Sequence, residues 1–309
     1  MALKLQIIKA LNKRFFGSPF RILGCLTRKI PKLFGLTNPF FVSTPVITSG
    51  NSLYIAYQQS YLAEASTLNN SVKFSPTSHE PEISFLASKL INDGDIILDI
   101  GANVGIHTVT FAKAAGSGQV FAFEPIAEIG TRLSENCALN NIKNVTLVPH
   151  ALGAKAGMLE MSVNVSGKGL EGTSSFVDSV HVRNSPELYE KRSVKIFELD
   201  QLIPSLGITK KLDFIKMDVE GFETDVLEGA TNTIKAHEPI MIIEAQTNRL
   251  QQADKSLNWY LTTFENYHIF KIPAADRTNP YLRLERLTGS EKNIAVNLLF
   301  LPKLRVGTY

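Results

Sequence analysis

Two short stretches hold residues whose types and spacing could do chemistry. The first, Asp95 to Gly105, reads D-I-I-L-D-I-G-A-N-V-G. Its apolar run Ile96 to Leu98 leads into Asp99 and then into a tight Gly101/Gly105 loop that opens a helix. Glycines at such a turn let the backbone approach a ligand where the helix begins, as in nucleotide-binding α/β sheets. Glu124 lies nineteen residues beyond Gly105, at the end of a second predicted strand, Gln119 to Phe123. A carboxylate there can accept hydrogen bonds from both hydroxyls of a ribose.

The second stretch, Leu212 to Glu223, reads L-D-F-I-K-M-D-V-E-G-F-E. Alternate residues of a strand share a face, so a strand over Leu212 to Val219 would align Lys216, Asp218 and, just past its end, Glu220. The middle of a parallel sheet is normally apolar on both faces, and three charges there need partners or a ligand. Glu244 adds a carboxylate at the end of the next predicted strand. Sheets of this kind bind ligands at their C-terminal edge. Asp218, Glu220 and Glu244 are therefore candidates to hold an acceptor or take its proton, with Lys216 as charge partner. The same residues also fit a buried ion-pair network that fixes the sheet edge, with Glu223 capping the following helix.

Two histidines compete for a catalytic role. His107 falls in the first turn of the loop helix, where facing solvent or packing on neighbours fits better than acting as a base. His150 closes the third predicted strand, where contact with an adenine is the better assignment. A divalent ion could bridge Asp218, Glu220 and Glu244 through hard oxygen ligands, but no His/Asp ligand pattern accompanies them and no metal is expected.

The loop also discriminates between ligands. Dinucleotide sites favour G-x-G-x-x-G, whose middle glycine lets a pyrophosphate lie against the backbone. Here Asn103 holds the middle position, and Ile106, His107 and Thr108 stand where a third glycine would be. S-adenosylmethionine carries no phosphate; it needs acids to face its cationic methionine end and its ribose. Asp99 and Glu124 supply them, which favours that cofactor over a nicotinamide.

Around these stretches, strand and helix patterns alternate, which predicts a parallel sheet with helices on both faces. Helices are expected over Glu82 to Leu90, Gly105 to Ala115, Ala127 to Asn140 and Ser256 to Phe264. Core strands are expected at Val145 to Val148 and Pro239 to Ala245, with shorter ones over 157–165 and 193–199. Two late strands, His268 to Ile272 and Ile294 to Leu301, read as a hairpin with a long connection. A strand-like run, Phe40 to Ile47, lies ahead of a boundary near Ser75 to Pro81. The Gly/Ser-rich run Asn164 to Phe176 reads as a surface loop.

The chain has 309 residues, 44% of them hydrophobic, enough for one large domain with an extension. The expected division is residues 1–75 as a basic N-terminal arm and extension, and 76–309 as the cofactor-binding domain. Cys25 and Cys137 form neither a disulfide framework nor a metal-ligand spacing, which points to a reducing, cytoplasmic setting. No apolar run reaches the length of a membrane span. Residues 1–63 contain eight bases and no acid, while the remainder holds 24 bases against all 29 acids. Apolar residues alternate with those bases up to Lys32. Such an arm can lie on an anionic inner-membrane surface, or pack on the core or on a second subunit with its lysines in water. Packing is slightly favoured. Lys9, Lys13 and Arg14 interrupt any signal-peptide core, and no nucleic-acid motif accompanies the charge.

Taken together, the two stretches resemble the FkbM family of S-adenosylmethionine-dependent methyltransferases. The resemblance rests on G-D-I-I-L-D-I-G-A-N-V-G, F-A-F-E-P, A-L-G, G-T-S-S, L-D-F-I-K-M-D-V-E-G-F-E-T-D-V-L-E-G-A and I-I-E-A, in order from Gly94 to Ala245. It implies a class I methyltransferase fold: a Rossmann-like three-layer α/β sandwich, mostly parallel, with a late antiparallel hairpin. It further implies O-methylation of a hydroxyl on a sugar, glycan or related hydroxylated metabolite. Asp99, Gly101, Asn103 and Gly105 would line the methionine side, Glu124 would hold the ribose, and Asp218 would stand near the methyl group. Two rivals keep the same sheet: a nicotinamide-dependent oxidoreductase, and a catalytically silent module tethered by the basic arm.

Overall fold

The computed structural model describes residues 47–49, 52–56, 80–165, 182, 184–274 and 281–303. The basic arm, the run Phe40 to Val46 and most of the Gly/Ser-rich stretch after Val165 lie outside the described residues.

The strands are β1 (Ile47–Ser49), β2 (Ser52–Ala56), β3 (Ile96–Ile100), β4 (Gln119–Phe123), β5 (Val145–Val148), β6 (Ala151–Leu152), β7 (Gly157–Asn164), β8 (Tyr189–Phe197), β9 (Phe214–Met217), β10 (Ile240–Gln246), β11 (Tyr267–Ile272), β12 (Tyr281–Arg286) and β13 (Ala295–Pro302). The helices are α1 (Pro81–Leu90), α2 (Ile106–Ala115), α3 (Ala127–Leu139), α4 (Leu199–Leu202), α5 (Glu223–Glu228), α6 (Thr231–His237), α7 (Thr247–Gln252) and α8 (Leu257–Thr263).

One large sheet runs β1-β2-β12-β11-β13-β10-β9-β3-β4-β5, and β6-β8-β7 form a second, small one. β5, β4, β3, β9 and β10 are parallel neighbours. β13 enters antiparallel between β10 and β11. This is the expected α/β sandwich, and β11 and β13 do pair antiparallel. Their long connection hides a further strand, β12, which pairs with the outer edge of β11 and carries β2 and β1 beyond it. Two strands of the expected extension thus pair into the main sheet, and the compact unit that contains it runs Thr44–Tyr309.

The central strands are short apolar runs because both of their faces are covered. Ile97, Phe214, Ile240, Ile242 and Leu299 pack with Phe85 and Leu86 of α1 and Phe111 of α2. Their chain neighbours Leu98, Ile215, Met241, Ile243 and Leu298 pack on the opposite side with Val226 of α5, Ile234 of α6 and Tyr260 of α8. Pro at its first turn, Glu82 early and Lys89 late suit α1 to its helix dipole. The sheet therefore separates two cores, one beneath α1 and α2 and one beneath α5, α6 and α8.

Candidate functional site

At the C-terminal edge the face beneath α1 and α2 changes character. Counting by twos along each strand, Ile97 is followed by Asp99, Phe214 by Lys216 and Ile242 by Glu244. On antiparallel β13, Leu299 is preceded by Asn297, which is the register partner of Glu244. On β4 the same count from Val120 ends at Glu124. The polar residues expected from the sequence are gathered there because they share one strand phase.

The glycine loop closes this edge. The N–H groups of Gly101 and Ala102 both donate to the Phe123 carbonyl, at 3.1 and 3.0 Å. Gly101 has φ +80°, and a Cβ on it would lie 1.8 Å from the Asp218 carbonyl oxygen, so only glycine fits. Asn103, at φ 50°, steadies its left-handed backbone through its own Oδ1, which accepts the Val104 N–H at 2.7 Å. The Val104 carbonyl in turn accepts from Asn136 Nδ2 of α3 at 2.7 Å. Gly105, at φ +86°, starts α2 with Leu133 packed against it.

Glu124 stands at the end of β4 and is buried. Its Oε2 accepts the Asn103 N–H at 3.1 Å and its Oε1 the Ile126 N–H at 2.8 Å. Burial pushes its carboxyl from an ordinary 4.5 up to about 7, against the pull of those two N–H groups, and Asp99 adds to the rise. Each oxygen keeps a lone pair for a further donor. Asp99, expected on the methionine side, is 1% exposed and sits beneath the loop. Its Oδ2 accepts the Thr108 hydroxyl at 2.6 Å. Its Oδ1 is buried with no hydrogen-bond partner among the described residues. Burial raises this carboxyl, while Lys216 and Thr108 oppose the rise. Asp99 thus braces α2 from below the loop. His150 is half-buried after β5, its ring 4.7 Å from that of Phe197, and its Nδ1 meets no hydrogen-bond partner among the described residues.

The acidic edge differs in detail from the expectation. β9 stops at Met217, so strand alternation ends there, and Glu220 sits in a turn with φ 55°. Lys216, 2% exposed, holds Asp218 at 2.8 Å. Burial alone would lower the Lys216 ammonium, but Asp218, Asp99 and Glu80 around it hold it above the ordinary lysine value. Glu223 does not serve as a plain helix-end charge. It turns back, and its Oε1 accepts the N–H of Val219 at 3.0 Å and of Gly221 at 3.2 Å. Asp218, Glu223 and Glu244 place one carboxylate oxygen each within 4.8 Å of one another, so Glu223 takes the place in the acidic group that the sequence suggested for Glu220. Burial, then Asp218 and the neighbouring glutamates, pushes Glu244 and Glu220 up to about 8. Burial also lifts Glu223 to about 7 against its backbone hydrogen bonds. Like charges this close disfavour full ionisation.

One residue was invisible in the sequence. Glu80, the left-handed residue that caps α1, places Oε2 3.1 Å from His107 Nε2. Its Oε1 accepts from Asn297 Nδ2. His107 is therefore buried inside this network and stacked on Phe111 at 5.8 Å, rather than facing solvent. Nothing within the chain near Glu80 signals this role, since its partners lie 27 and 217 residues away.

Comparison with known proteins yields four findings. The family model described as "Methyltransferase FkbM domain" matches residues 99–272. The hexuronic acid methyltransferase AglP of Haloferax volcanii is 29% identical over 157 residues, covering 51% of this chain and 59% of that protein. The 2-O-methyltransferase NoeI of Sinorhizobium fredii is 27% identical over 166 residues, covering 52% of this chain and 67% of that protein. A crystal structure of methyltransferase FkbM from Methylobacillus flagellatus is 18% identical with a TM-score of 0.42, covering 72% of this chain and 51% of that one. No helix among the described residues is long and apolar enough to cross a membrane.

Proposed function

The chain belongs to the FkbM methyltransferase family, and from that premise we propose that it is an S-adenosylmethionine-dependent O-methyltransferase. Its acceptor is a hydroxyl of a sugar, a glycan or a related hydroxylated metabolite. The observation that carries this reading is the contact of the Gly101 loop with the Asp218 peptide, which sets the glycine loop beside the acidic edge. The sugar class draws support from the names of the hexuronic acid and 2-O-methyl relatives.

The residues fit the cofactor. Gly101 and Gly105 leave the loop without side chains at its turns, Glu124 keeps lone pairs for ribose hydroxyls, and His150 offers a ring for the adenine. The cofactor supplies a methyl group on a sulfonium, an electrophilic carbon with a good leaving group. The chain's own task is to hold the acceptor oxygen about 3 Å from that carbon and in line. Asp218, paired with Lys216, would hold the acceptor. Glu220 and Glu244, raised to about 8, suit proton acceptance near neutral pH, a role worth about 10² to 10⁴ in rate. Turnover is then expected to rise with pH and level off above about 8.

Calorimetric titration with S-adenosylmethionine, S-adenosylhomocysteine and NAD in parallel tests the cofactor. Micromolar binding of the two sulfur nucleotides without NAD is expected. NAD binding alone would establish the oxidoreductase rival, and no binding of any would favour the silent module. For residues 1–32 both proposals stand: a peripheral contact with anionic lipid, and packing on protein, including a second subunit. Deleting them separates the two, since loss of liposome binding with a folded core marks the first and a changed oligomer size the second.

A further inference from the structure

Between β9 and α5 the chain reverses through two consecutive left-handed residues, Glu220 at φ 55° and Gly221 at φ 101°. A glutamate in that region is strained and persists only where its surroundings over-determine it. One atom ties both sides of it. Oε1 of Glu223 accepts the N–H of Val219 and the N–H of Gly221, the two residues that flank Glu220. Both neighbours of the strained residue are thus tied to the same oxygen.

That oxygen is itself well anchored. Glu223 is 5% exposed and begins α5, whose Val226 and Leu227 are locked in the core. The other end of the turn is fixed by the Asp218 N–H, which donates to the Ile100 carbonyl at 3.0 Å, and by the Asp218 carbonyl against Gly101. Arg249 lies across Gly221, where an added Cβ would meet its Cδ and Nε at 2.8 Å. The turn is held at both ends, and Glu223 ties down its middle through two N–H groups.

We propose that Glu223 is a positioning residue for methyl transfer: its Oε1, acting as a hydrogen-bond acceptor, sets the 218–221 turn and so the places of Asp218 and Glu220. The inference rests on the proposed function for what Asp218 and Glu220 do. It requires an acceptor oxygen and not a negative charge, which makes it separable from any role of Glu223 as an acid. The amide oxygen of glutamine can accept the same two N–H groups.

The test compares E223Q and E223A in the full chain. Three quantities are followed: deuterium exchange at the Val219 and Gly221 amides, S-adenosylmethionine affinity, and methyl transfer to p-nitrophenyl β-D-glucuronide. E223Q is expected to keep all three near wild type. E223A is expected to expose the two amides and to lower kcat about 10²-fold, the scale of a small misplacement, with KM for the cofactor little changed. E223A with wild-type exchange and turnover overturns the inference. So does an E223Q chain that fails to fold, or that loses as much as E223A, because an acceptor oxygen alone was to suffice. If the wild type binds the cofactor but leaves the glucuronide unmethylated, the acceptor class falls. If it binds no cofactor, the proposed function falls. In either case rescue of exchange by glutamine still decides the role of Glu223.

Discussion

The two faces of the central sheet are built on the same strands yet end differently. Beneath α5, α6 and α8 the residues stay apolar to the edge: Ile100, Met217, Ile243 and Ala245 are all buried there. Phe300 anchors an aromatic group, with ring centroids 5.4 Å from Phe264 and 5.7 Å from Tyr260. Beneath α1 and α2 the last steps carry Asp99, Lys216, Glu244 and Asn297 in place of aliphatic side chains. The backbone ladder is indifferent to which side chain it bears, so chemistry can be written on one face by changing a few alternate residues. The opposite face, left apolar, supplies the rigidity that crowded charges on the first face need.

Several substitutions would break that contrast or sharpen it. The largest effect is expected at the seam between loop and turn. Gly101→Ala puts a carbon into the Asp218 peptide, and calorimetry should find cofactor binding gone; an unchanged affinity would mean the turn can yield. Next, Lys216→Met strips the buried cation from Asp218 and Asp99, a loss of about 3 to 5 kcal/mol in denaturant unfolding. That loss should be smaller at pH 5 than at pH 8, because burial already raises the Asp99 carboxyl and protonation relieves it once Lys216 no longer opposes the rise. Phe300→Ala on the apolar face should cost about 3 to 5 kcal/mol as well, but equally at both pH values. A pH-dependent loss at Phe300, or a pH-independent one at Lys216, would erase the distinction between the faces.

The smallest effect concerns Glu244. Its carboxyl is raised in the fold from an ordinary 4.5 to about 8, so across that window the folded chain holds a proton that the unfolded chain releases. Stability from this group is present below about 4.5 and is lost as pH climbs through about 8. Glu244→Gln should therefore flatten the decline and raise the melting temperature by a few degrees at pH 8.5, with little change at pH 5. A variant that melts lower than wild type at pH 8.5 would contradict the assigned direction.

Much of this was legible in the sequence, for local reasons. β4 and β5 run over Gln119–Phe123 and Val145–Val148 as expected, and Glu124 follows four buried apolar residues at the end of its strand. β12 escaped notice although Y-L-R-L-E-R alternates, with Leu282 and Leu284 buried. Its charges disguised a half-buried strand. Glu220 does not continue the strand alternation because β9 ends at Met217, three residues before it, and the chain enters a turn that no propensity favours. Glu223 lies in the first turn of its helix as expected, and what the sequence leaves open is that an acid there can reach back to N–H groups before the helix, as a capping box does. Glu80 left none, because its meaning lies in contacts across the sheet.

Gly101 and the Asp218 peptide touch with no room for one carbon between them, and this has a thermodynamic corollary. A molecule seated on the loop and another seated on the turn would press on opposite sides of a single contact. Whatever factor the first changes in the affinity of the second, the second must return to the first. An acceptor library screened against the bare protein would thus rank compounds by a constant that differs from the one in force when both molecules are present. The same factor, measured once from either side, corrects both.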